Sequence, residues 1–250
     1  MVQRYFIRFS YDGTHYHGWQ IQPNGVTVQE KMTGVMQRIF GPELELTGAG
    51  RTDSGVHASM MYAHFDTEKP INDTVAMASK LNYMMPQDIA VQEILRVRPG
   101  TNARFDAVSR TYEYRMSQVK NPFTRDYVTH VSGTLDVAAM NQVALVLKEY
   151  TDFTSFSKVH TDVRTNNCVI FKAEWVQRRD LLVFTIQADR FLRNMVRAIV
   201  GTMLEVGRGK MDMDGFRLVI EQKDRCAAGT SVEARGLFLV DIQYPDSIFY

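Results

Sequence analysis

Cysteine is almost missing from this chain. Cys168 and Cys226 are the only two in 250 residues, far apart and outside any C-x-x-C pair. That excludes a disulfide framework and fits a reducing compartment. No apolar run approaches the roughly 18 residues that cross a bilayer. Met1-Val2-Gln3-Arg4-Tyr5-Phe6 has neither an apolar core nor a small-residue cleavage site, so no secretion signal is read there. The expected location is the cytoplasm, with no membrane partner. Neither sign of charge dominates: 29 Lys and Arg against 28 Asp and Glu leave a formal net charge of +1. A simple nucleic-acid binder would be strongly basic. If RNA is the partner, positive charge must be local, as in Arg104/Arg110/Arg115, Arg178/Arg179, Arg190/Arg193/Arg197 or Arg208/Lys210. Phosphate loops of the G-x-x-x-x-G-K-[ST] type and dinucleotide fingerprints are absent. The six histidines show no zinc-like spacing, and His15-x-His17 lacks a third ligand. The expectation is no cofactor and no metal.

What is present is a pattern that occurs twice. Tyr5 to Tyr11 reads as a strand ended by Asp12-Gly13. Thr27 and Glu30 form a capping box for a helix to Phe40, whose apolar stripe is Val28, Met32, Val35, Met36 and Ile39. Leu44 to Thr47 and Ala58 to Thr67 read as strands. Asn72 or Asp73 caps a helix through Asn82, and Ile89 to Val97 is a strand. The second half predicts a strand over Ser109 to Gln118, a helix over Leu135 to Tyr150, and strands over Cys168 to Val176 and Leu181 to Ala188. A helix over Phe191 to Val206, an extra helix over Asp212 to Lys223 and a strand over Leu237 to Tyr244 complete it. The order β-α-β-β-α-β is that of the split-βαβ, ferredoxin-like unit. The reading is an α+β protein of two such units with antiparallel sheets, joined around a central cleft, residues 1–104 and 105–250. Turn signals at Pro99-Gly100-Thr101-Asn102 mark the boundary.

The chemistry-bearing stretch is Gly48-Ala49-Gly50-Arg51-Thr52-Asp53-Ser54-Gly55-Val56-His57. Its glycines allow positive φ and close approach by another molecule. Arg51 can hold a phosphate while Asp53 does chemistry; the same residues also suit a plain turn stabilised by an Asx hydrogen bond. Arg193 and Arg197 are four apart in an apolar helix and would share a face. Such arginines pair with a carboxylate or snorkel to water. Tyr112 and Tyr114 alternate onto one face of a strand, where rings stack on unpaired bases or pack in the core.

At these residues the chain resembles the bacterial tRNA pseudouridine synthase A family. Gly48 to His57 is similar to that family's A-G-R-T-D-x-G-V-H signature. Tyr11-Asp12-Gly13, Gly18-Trp19-Gln20, Val28-Gln29, Asp152-Phe153-Thr154-Ser155-Phe156, Met195-Val196-Arg197 and Gly236-Leu237 follow in the family's order. The resemblance implies an isomerase that converts uridine to pseudouridine at positions 38, 39 and 40 of the tRNA anticodon arm. It implies a homodimer and two ferredoxin-like halves. It implies that Asp53 is the essential aspartate, that Arg51 lies beside the RNA backbone and the flipping base, that Tyr112 stacks on the target uracil, and that Arg197 pairs with the aspartate. Three positions depart from the pattern. Met60-Met61 stands where many members have Gly-Gln, Arg193-Asn194 replaces a His-His pair seen in some members, and Thr230-Ser231-Val232 lacks a proline found there in many.

That reaction breaks the C1′–N1 bond, turns the base and forms a C1′–C5 bond, with no atom gained. The base must first leave its stack, at a cost of a few kcal/mol. Three roles stay open for Asp53: attack at C1′, addition at C6, or removal of the C2′ proton. Tyr112 is a candidate acceptor for the C5 proton. Two other classes compete. A non-catalytic RNA-binding module would carry an aromatic R/K-G-F-G-F strand motif, which the sequence lacks. A metabolic enzyme on a similar fold would show no salt-dependent RNA affinity.

Overall fold

The computed structural model describes residues 2–158 and 165–250. The chain divides into two compact units, Met1–Val108 with Leu239–Tyr250, and Ser109–Phe238. The architecture is α+β with mostly antiparallel strand pairing.

In the first unit β1 (Gln3–Tyr11) lies between β3 (His57–Thr67) and β4 (Ile89–Val97), and both pairings are antiparallel. A short β2 (Thr47–Gly48) adds to β3. The helix α1 (Val28–Phe40) starts where expected: Thr27 accepts from the Glu30 N–H, and the Glu30 carboxylate accepts from the Thr27 N–H. Val28, Met32, Val35 and Met36 are buried, so the 3.6-residue stripe became the core face. Asp73 caps α2 (Thr74–Met84). The predicted strand over Leu44–Thr47 is the two-residue β2 at its far end. Leu44 and Leu46 are buried all the same, so burial without ladder pairing explains the apolar pattern.

One irregularity positions the site. Between Phe9↔Met61 and Tyr11↔Ala58, two β3 residues, Ser59 and Met60, oppose Ser10 alone. Such a bulge twists a strand end and re-aims its side chains. Tyr11 lies just beyond it.

In the second unit β5 (Ser109–Ser117), β8 (Leu181–Ala188) and β7 (Ile170–Arg178) lie in that order, all antiparallel, and β6 (Thr129–His130) runs parallel to the end of β5. Trp175 and Phe184 pack at 4.9 Å between ring centres in its core. The helix α3 (Val137–Val146) is shorter than the predicted Leu135–Tyr150, because the chain tightens into a 3-10 turn over Leu147–Glu149. The helices α4 (Met195–Gly207) and α5 (Met213–Glu221) follow; the last strand, β9 (Leu237–Gln243), begins in this unit, and its residues from Leu239 onward belong to the first. Among the described residues, no helix is long and apolar enough to cross a membrane.

The start of α4 corrects the sequence reading. The helix begins at Met195, not Phe191, because Asn194 sits in the left-handed region at φ 66. Apolar periodicity through Phe191 and Leu192 masked that stop. Arg193 therefore precedes the helix and shares no helical face with Arg197.

Candidate active site

Arg51, Thr52 and Asp53 lie outside regular structure, between the bend at Ala49-Gly50 and the turn at Ser54-Gly55. Arg51 is exposed, Thr52 is buried and Asp53 is half-buried. The buried middle residue anchors the two charged ones. The Thr52 hydroxyl lies 2.7 Å from the Tyr11 hydroxyl, both out of solvent. The Thr52 carbonyl accepts the Trp19 N–H at 3.3 Å. The Asp53 carbonyl accepts from Val56, and the Tyr16 carbonyl receives both the Gly55 N–H and the Ser54 hydroxyl. Apart from Val56, within the loop itself, these partners come from residues 11–19, the Tyr-Asp-Gly and Gly-Trp stretches singled out in the sequence.

The glycines there are steric requirements. A Cβ on Gly13 would overlap the Val56 carbonyl oxygen, and one on Gly18 would overlap that of Thr52. Gly18 also has φ +82, which only glycine adopts freely. Two backbones thus lie in contact, and main-chain hydrogen bonds fix the loop that carries Asp53. Tyr16 adds a hydroxyl bond of 2.7 Å to Asp88, and burial together with that carboxylate raises its pKa. Buried His57 closes the loop. Its Nδ1 lies 3.1 Å from both the Gly13 nitrogen and an Asp12 oxygen. One ring nitrogen cannot accept and donate at once. The Gly13 N–H is a fixed donor, so Nδ1 accepts and carries no proton.

The other two expected residues belong to the second unit. Tyr112 on β5 is half-buried and meets Phe191 edge to face, ring centres 5.2 Å apart. Its neighbour Tyr114 is core: it is fully buried, with its hydroxyl 2.7 Å from that of Thr129 and donating to the Glu233 carbonyl. Of the two tyrosines, only Tyr112 keeps an accessible ring. Arg197 stands in the first turn of α4. Its Nε–H donates to the Val232 carbonyl at 2.8 Å, and the Val232 N–H donates to the Arg197 carbonyl at 3.2 Å. That pair sets the plane of the guanidinium. The segment carrying Val232 lies so close to the helix that a Cβ on Gly201 would overlap the Thr230 carbonyl oxygen.

Sequence reasoning missed Phe191 as an aromatic wall and Val232 as the arginine's anchor. It also left unseen that two departures from the family pattern meet. The Asn194 amide donates to the Ser231 hydroxyl at 2.7 Å, and Arg225 reaches the same hydroxyl at 2.8 Å. A change at Arg193-Asn194 thus faces a change at Thr230-Ser231-Val232 directly.

Comparison with known proteins places this arrangement. A family profile described as tRNA pseudouridine synthase matches residues 7–106 and 150–245. The chain belongs to the tRNA pseudouridine synthase family and is an isomerase. Arg51, Asp53 and Arg197 lie in the matched residues; Tyr112 lies between the two matched stretches. It is 57% identical over 249 residues to a protein of Bacteroides fragilis named tRNA pseudouridine synthase A, covering 99% of each chain. Relatives of the same name from Porphyromonas gingivalis and a Geobacillus species are 45% and 38% identical. They cover 99% and 98% of this chain and 100% and 99% of their own.

Proposed function

We propose that this enzyme isomerises uridine to pseudouridine in the anticodon stem-loop of tRNA, at positions 38, 39 and 40, with Asp53 as the essential catalytic residue. The observation that supports this most is the Arg51-Thr52-Asp53 stretch. A buried threonine fixes its backbone while a cation and a carboxylate stand on either side. In this reading Arg51 holds the displaced RNA backbone by charge-assisted hydrogen bonds. Tyr112 offers a ring face to the flipped uracil, a stacking contact worth about 1–3 kcal/mol. Arg197 is the arginine partner of the catalytic carboxylate and orients it by a charge-assisted hydrogen bond.

Two ferredoxin-like halves fit the same reading. The strand order β4-β1-β3 with β2 on β3, and the matching β-α-β-β-α-β succession, support it for the first unit. We further propose a homodimer working in the cytoplasm, without metal or cofactor.

The test is tritium release from tRNA carrying 5-tritiated uridine, under single-turnover conditions with enzyme in excess. Wild-type enzyme should release tritium, and Asp53→Asn should abolish release while tRNA binding stays largely intact. Loss of binding together with activity would make Asp53 a structural residue and sink the assignment.

A further inference from the structure

The second unit has a surface cavity lined by none of Arg51, Asp53, Tyr112 and Arg197. Its volume is about 600 Å³, and Lys120, Arg125, His130, Arg235 and Glu233 line it. Three permanent cations thus face one carboxylate, in a chain whose net charge is only +1. A concave wall of one sign concentrates the field inside it.

The cavity is built, not a chance gathering of loose side chains. Its floor is the end of β5, where Met116 and Ser117 pair with Thr129 and His130 of β6. The connecting stretch turns on Thr124, whose carbonyl accepts the N–H groups of Tyr127 and Val128. Arg235 ties that stretch down by donating to the Arg125 carbonyl at 3.1 Å. Two neutralising contacts are solvent-screened and weak. Arg125 meets Asp126 at 3.5 Å, with side chains 72% and 46% exposed, and Arg235 meets Glu233 at 2.9 Å, with 45% and 55%. On the same stretch Phe123 is 92% exposed and Tyr127 41%. The cations in the concave groove suit a phosphate backbone, and the rings beside it, outside the cavity lining, could stack only on bases.

The position sets which part of the RNA would reach it. Ser117 lies five residues along β5 from Tyr112, about 17 Å at the rise of a strand. A helical nucleic-acid strand covers that length in about five steps. We propose that this cavity binds backbone phosphates of the tRNA substrate about five nucleotides from the target uridine, with Lys120 and Arg125 as the phosphate contacts. The proposal rests on the reading in which Tyr112 meets the target base.

The test is the salt dependence of tRNA binding by Lys120→Ala/Arg125→Ala. Both side chains are exposed, so the fold should survive. The slope of log affinity against log salt should become shallower by about two, one for each lost phosphate contact. A matched removal of charge, Lys31→Ala/Lys80→Ala on α1 and α2, should leave the slope as in wild type. An unchanged slope in the first variant would overturn the proposal. So would an equal loss in the control, or sedimentation showing that the first variant has come apart into smaller species, which would make this face a contact between copies. Wild-type tritium release reports on the underlying reading separately. An enzyme that releases tritium but shows no slope change refutes only the cavity.

Discussion

At the scale of single residues, Asp53 is held by groups that do no chemistry. Thr52 cannot leave its place without losing the Tyr11 hydroxyl, and Tyr11 is aimed by the bulge at Ser59-Met60. Tyr11→Phe keeps the ring and its stacking on Phe9 but leaves the buried Thr52 hydroxyl without this partner. A stranded buried hydroxyl costs about 1–3 kcal/mol. We expect a melting temperature lowered by a few degrees, with the tRNA KM nearly constant and kcat reduced, since Asp53 loses its support but Arg51 stays exposed. Steady-state kinetics beside a thermal melt would check this. An unchanged kcat would show that the Tyr11 hydroxyl plays no part in placing the loop. In the sequence, Asp53 and Arg51 stand out through the family signature, because a Gly-rich loop with paired charges by itself suits a plain turn as well. Thr52 and Tyr11 were not legible as partners: they lie 41 residues apart, and no spacing rule links a strand end to a loop.

Elements show where local signals suffice and where they fail. The start of α1 was readable to the residue, because a capping box is written in four consecutive positions. The start of α4 was not. Its N-cap is Asn194 in a left-handed conformation, and the side chain answers to Ser231, far along the chain. Tertiary contact there overrides periodicity. The same contact makes α4 sterically intolerant. Gly201→Ala would drive the 229–232 segment away from the helix, taking the Val232 carbonyl from Arg197. Overpacking of this kind costs about 1–3 kcal/mol. Gly34→Ala on α1 is the natural contrast, since a Cβ there meets nothing within 4 Å. Removing a helix-interior glycine should stabilise by about 0.5–1 kcal/mol. Urea unfolding should thus move in opposite directions for the two variants, with activity lost only in the first. Movement in the same direction would mean that intrinsic helix propensity outweighs packing in α4.

For the whole molecule, acid should act in two stages, and the first arises in one unit. His64 on β3 is 7% exposed, and its Nδ1 accepts the Ala103 N–H at 3.2 Å. Burial lowers its pKa and Arg4 lowers it further; Asp66 and Asp106 pull the other way without reversing the shift. Above the ordinary histidine value of about 6.5 the ring is neutral folded and unfolded, and its titration leaves stability unchanged. Below that value the unfolded chain takes up the proton first, so stability falls until the folded ring is also protonated. The second stage begins near pH 4, where Asp66 and Glu113 matter, one in each unit. The Arg4 hydrogen bond holds Asp66 below the usual carboxylate range. Burial pushes Glu113 up, but the hydrogen bonds from Arg115 and Arg178 outweigh it and leave its pKa lowered. The stability these carboxylates contribute is present above their unfolded values and is lost as acid protonates them. His64→Asn separates the stages, because the amide oxygen can replace Nδ1 as acceptor but does not titrate. The decline in melting temperature between pH 7 and pH 5 should be shallower in this variant, and the decline below pH 4.5 should match wild type. The readout is the slope, so a uniform loss of stability does not obscure it. An identical slope between pH 7 and pH 5 would remove His64 from the acid response.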